Sequence, residues 1–71
     1  MKFEEKFIHN RNEWHSDNYQ IVEMVYKHVG DLKQYNCFKK SKFGFNFIVK
    51  QPVLLTPECA IRFCENNAGE L

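Results

Sequence analysis

The sequence is short of the residues that punctuate or staple a chain. Three glycines and two prolines among 71 residues leave no linker, low-complexity tract or collagen-like period, and no internal repeat is present. The three cysteines, Cys37, Cys59 and Cys64, are odd in number and include no CxxC pair, which argues against a disulfide framework and a zinc ribbon. On a helix over 57–66, Cys59 and Cys64 would stand about 140° apart around the axis and could share neither a bridge nor a metal. His9, His15 and His28 fall at no spacing that gathers ligands on one face, so no metal and no cofactor is expected. No apolar run approaches the roughly 18 residues of a membrane span. The stretch Met1-Lys2-Phe3-Glu4-Glu5 lacks the apolar core of a signal peptide, so the expectation is a cytoplasmic protein with no membrane partner. A net charge of +1 excludes chain-wide electrostatic attraction and leaves only local clusters to consider.

What is present is apolar surface to bury. The chain is 44% hydrophobic, with seven Phe, three Tyr and one Trp, which describes a globular domain rather than a disordered chain. Its length admits one domain, 1–71, near the lower limit at which a single core offsets chain entropy. Eight Lys against two Arg, and seven Asn against two Ala, is the balance an AT-rich coding sequence tends to give.

Periodicity supplies the elements. Residues 2–8, KFEEKFI, alternate as an edge strand would, although Phe3 and Phe7 also stand one helical turn apart. Asp17 followed by Gln20 resembles a capping box, and Ile21, Val22, Met24, Val25, Tyr26 and Val29 recur at helical spacing, which predicts a helix over 18–29. Gly30 then suits the left-handed position just past its end, and His28 its last turn. YNCFKK (35–40) and FGFNFIVK (43–50) read as strands joined at Lys40-Ser41-Lys42, with Phe43, Phe45, Phe47 and Val49 on one face. Thr56-Pro57-Glu58 is a helix start, with Thr as N-cap and Pro at the first helical position, which predicts a second helix over 57–66 with Ala60, Ile61, Phe63 and Cys64 turned inward. The closing AGEL is expected to fray. The fold class expected is α+β: a small antiparallel sheet of two or three strands, in the order β-α-β-β-α, with two helices packed on one face. A core count places the three Phe rings under the helices, because a small domain gains roughly 1.5 to 3 kcal/mol from each large apolar side chain it buries.

Ser41-Lys42-Phe43-Gly44-Phe45-Asn46-Phe47-Ile48 resembles the RNP1 pattern of RNA-recognition and cold-shock domains, K-G-F-G-F-V-x-F, over about eight residues. The resemblance implies aromatic rings that stack bases on an open sheet face. Lys42 stands where the pattern has Gly, and Asn46 where it has an apolar residue. A fourth strand after Cys64 would have only seven residues to form from.

No paired carboxylates, Gly-rich phosphate loop or activated nucleophile points to an enzyme. The expectation is a small non-enzymatic regulatory or inhibitor-type protein that binds a macromolecular partner, a protein first, as phage-type inhibitors do by analogy. The alternative is a weak single-stranded nucleic-acid binder using the Lys39–Lys42 turn and the Phe43–Phe47 strand, and a homo-oligomer is a third possibility. The candidate binding residues are Trp14, Lys39, Lys40, Lys42, Phe43 and Phe45.

Overall fold

A computed structural model describes residues 2–48 and 50–69. Five antiparallel strands follow one another in chain order, β1 (Glu4–Ile8), β2 (Arg11–His15), β3 (Tyr19–Tyr26), β4 (Leu32–Ser41) and β5 (Gly44–Phe47), and each pairs only with its sequence neighbours. Among the described residues a single α-helix, α1 (Pro57–Gly69), follows the sheet. The expected two- or three-stranded sheet with two helices is therefore wrong: the described residues hold five strands and one α-helix.

The error lies in 18–29. Tyr19–Tyr26 is a strand paired over its whole length with β4, from Tyr19↔Lys39 to Tyr26↔Leu32, and only Lys27–Val29 turns helically, as a short 3-10 segment. The presumed capping box is a hairpin turn. Ser16 N donates to Tyr19 O (2.9 Å) and Tyr19 N donates back to Ser16 Oγ (3.1 Å), which bends the chain between β2 and β3. Gly30 is left-handed as expected, with φ 64°, but it follows the 3-10 turn. Trp14 lies within strand β2. That strand follows a two-residue loop in which His9 and Asn10 both take positive φ, as the primed hairpin turns require.

Alternation divides the sheet into two unlike faces. Trp14, Ile21 and Cys37 lie in register on one of them, with Tyr19 and Tyr35 on the same side. Together with Leu54, Ala60 and Cys64 they make the buried core, flanked by Phe3, Ile48, Ile61 and Phe63. Trp14 meets Tyr35 edge to face, with centroids 5.6 Å apart. Helix α1 begins as the sequence predicted. Thr56 Oγ1 accepts from Cys59 N (3.1 Å), and the small residues Ala60 and Cys64, one turn apart, let the helix lie close to the sheet. It runs beyond residue 66 through Ala68 and Gly69; Glu70 and Leu71 lie outside the described residues. Tyr35 Oη donates to Glu23 Oε2 (2.9 Å), and burial together with that carboxylate pushes the phenol up to about 12.

Beyond β5 the chain continues alongside β4 in the same direction. Ile48 N donates to Cys37 O (3.1 Å), and Tyr35 N donates to Leu54 O (2.9 Å). Between these contacts the Gln51 carboxamide takes the place of a backbone unit. Its Oε1 accepts from Cys37 N (2.8 Å), and its Nε2 donates to Cys37 O (3.0 Å) and Ile48 O (2.6 Å). The strand expected over 43–50 thus ends at Phe47, and Val49 lies outside the described residues.

Candidate nucleic-acid interface

The rings at 43, 45 and 47 are not the floor under the helix. Phe43 sits in the β4–β5 turn and is 98% exposed, while Phe45 is 38% and Phe47 47% exposed. The register gives the reason. Phe38↔Phe47 and Lys40↔Phe45 place both strand rings on the face opposite Cys37, away from α1. A core assembled from β2, β3 and β4 does not need them. Gly44 opens β5 just past the turn. Its φ of 115° is what demands glycine, since a Cβ there would meet nothing within 4 Å.

Phe47 and Phe38 pack edge to face with centroids 5.6 Å apart, which fixes a small aromatic platform with Phe45 and Lys40 beside it. The turn is held by Ser41. Its hydroxyl donates to Gly44 O (3.0 Å) and accepts from Phe43 N (3.3 Å) and Asn46 Nδ2 (2.7 Å). At this end a shallow groove of about 470 Å3 is lined by Lys39, Lys40, Ser41, Asn46, Phe47, Ile48 and Asn67.

The structure brings Lys40 and Phe45 together on the open face, with Lys42 and Phe43 at the adjoining tip. Lys39 pairs with Asn46 on the helix side of the sheet, and Trp14 is buried in the core, so neither belongs to the platform. Sequence reasoning missed Phe38 and Phe47 as a pair. It also missed a polar knot on β2.

That knot is centred on Glu13, which is 1% exposed although no helix covers its face. Its carboxylate accepts from Arg11 Nε (2.9 Å), His15 Nε2 (2.8 Å) and Gln20 Nε2 (2.9 Å), and the His9 imidazole stands 3.8 Å away. Burial by itself raises the carboxyl pKa, but the hydrogen bonds from Arg11, Gln20 and His15, together with the guanidinium charge, outweigh it and bring Glu13 down to about 2. An ionised carboxylate only accepts, so His15 carries a proton on Nε2. The alternation Arg11-x-Glu13-x-His15 was the available signal, since in a strand it sets all three on one side. Among the described residues no group of three or more His, Cys, Asp or Glu could hold a metal ion, and no helix is long and apolar enough to cross a membrane.

No family model, no curated protein and no solved structure matches this chain.

Proposed function

We propose that this chain is a non-enzymatic binding module that takes single-stranded nucleic acid on the open face of β4 and β5. The observation that carries the reading is the platform itself: Phe38, Phe45 and Phe47 lie on the face that α1 does not cover, with Lys40 among them and Lys42 at the tip. Stacking on rings that are already exposed and fixed, next to ammonium groups that meet phosphates, is how sequence-tolerant single-strand binding is built. The module would work in the cytoplasm, in keeping with three unbridged cysteines.

The test is fluorescence anisotropy of labelled oligo-dT and oligo-U across a salt series. Binding should weaken steeply as salt rises. Phe45→Ala and Phe47→Ala should keep the parental circular dichroism yet lose about 5- to 150-fold in affinity, the range of base–aromatic stacking. No anisotropy change at low salt, or parental affinity in both variants, refutes the reading.

One observation favours a protein partner, as a regulator or inhibitor would have. Among the described residues β1 and β5 each have only one neighbour in the sheet, so each presents an edge to which a further strand could add. That mode predicts a stoichiometric complex that survives 0.5 M salt and is indifferent to Lys40→Glu.

A further inference from the structure

The register carries the open face well beyond the aromatic pair. Phe47 pairs with Phe38, Phe38 with Gln20, Gln20 with His15, and His15 with Glu4, so one row of side chains crosses all five strands on the side away from α1. Two aromatic rings are followed by a carboxamide and then an imidazole. Gln20 and His15 are both hydrogen-bonded to Glu13, and so is Arg11.

Glu13 is a peculiar residue for a surface that receives a polyanion. Its charge is matched by the Arg11 guanidinium and its oxygens are occupied by three donors. What it presents to solvent is therefore not a carboxylate but the groups it holds. Among the described residues only Nε of Arg11 is engaged, which leaves the two terminal nitrogens of a side chain that is 42% exposed to meet a ligand. A guanidinium held at its inner edge by a buried acid loses less freedom on gripping a phosphate than a loose lysine does.

Building on the nucleic-acid reading above, we propose that the strand crosses the sheet from β5 to β2, with Arg11 as a second phosphate anchor and Glu13 as the residue that positions it. Three strand spacings of about 4.8 Å, with Arg11 four residues along β2 from His15 at about 3.4 Å each, make a diagonal path of about 20 Å. Such a path suits about four nucleotides, the lower end of the sites found on single-strand-binding folds. The bases nearest β5 stack on Phe47 and Phe38, and a phosphate at the far end of the path reaches Arg11. Charge supports this occupant: on the same face Lys6, Arg11 and Lys40 stand against Glu4, which Lys6 faces at 3.9 Å, and the fully engaged Glu13.

The experiment measures oligo-dT of one to eight nucleotides against the unaltered protein, then repeats the salt series with Arg11→Ala and Arg11→Lys, each checked for parental circular dichroism. Affinity should climb until about four nucleotides and then level off. Arg11→Ala should lower the slope of log K against log salt by about 0.7, the loss of one phosphate contact on a single strand, and Arg11→Lys should restore the slope. A plateau at two nucleotides, or a parental slope in Arg11→Ala, overturns the second anchor while leaving the β4–β5 platform in place. Failure of every oligonucleotide to bind removes the platform as well.

Discussion

Replacing each ring of the β4–β5 hairpin by alanine and comparing it with Trp14→Ala tests where the core lies. Phe43 is 98% exposed, so Phe43→Ala removes almost no buried surface and should change stability by less than about 0.5 kcal/mol. Phe47 is 47% exposed and also loses its edge-to-face contact with Phe38. Half of a full phenylalanine burial is about 1 kcal/mol, and the ring pair adds about 0.5 to 1.5 kcal/mol, so Phe47→Ala should cost about 1.5 to 2.5 kcal/mol. Trp14 is packed between Tyr35 and the core, and its truncation should cost about 3 to 5 kcal/mol. At about 0.05 to 0.15 kcal/mol per residue, a domain of 71 residues has only about 4 to 10 kcal/mol in all. Trp14→Ala should therefore remove about a third or more of the total and be by far the most damaging of the four. Urea denaturation followed by far-ultraviolet circular dichroism gives each value. A loss above about 2 kcal/mol in Phe43→Ala would place that ring in the core and refute the two-faced sheet.

Two further outcomes follow from side chains that replace backbone or bury charge. Glu13 titrates at about 2 in the fold and near 4.5 when free, so its stabilisation is complete above pH 4.5 and is lost as pH falls from there towards 2. The difference corresponds to about 3 kcal/mol, which screening at the exposed Arg11 side reduces to about 1 to 2 kcal/mol. Urea midpoints measured from pH 6 to 2 should show this decline in the parent and a flatter curve in Glu13→Gln, and equal pH profiles would contradict the knot. Gln51→Ala strips Cys37 N–H of its acceptor and should cost about 1 to 3 kcal/mol, with faster hydrogen exchange at that amide. Unchanged exchange at Cys37 would mean that the carboxamide is not the partner.

The C-terminal helix was legible because its start is written in side chains with few other uses: Thr56 caps, Pro57 fits the first turn, and Ala60 and Cys64 repeat at one turn. The edge strand at Glu4–Ile8 was legible from its alternation. Tyr19–Tyr26 misled for a physical reason. As an interior strand it has buried apolar residues on both faces, Ile21 on one and Val22 on the other, so its period of two is blurred into a run that also fits a helix. The β-branched residues Ile21, Val22 and Val25 were the signal that favours a strand. That mistake led to the next one. With 18–29 assigned to a helix, the sheet had too few strands to bury, and Phe43, Phe45 and Phe47 were placed inside to complete it. Once β2 and β3 are strands, Trp14, Tyr19 and Ile21 supply the core and the rings are released to the surface. Lys40 and Phe45 were both candidate binding residues, but their pairing was not legible, because the turn expected at Lys40-Ser41-Lys42 lies at Lys42-Phe43 and shifts the register. The convergence of Gln20 on Glu13 was not legible either, because it depends on the β2–β3 register.

The order of the elements has a bearing on birth at the ribosome. All five strands emerge before α1, each finding its partner in the segment just made, so the sheet can begin to form early and locally. Until residues 57–69 follow, however, Trp14, Ile21 and Cys37 lie bare to water on the side that α1 will cover. A nascent chain halted before Pro57 would be a sticky sheet, a ready target for chaperones and proteases, and docking of 57–69 is the step that makes it safe.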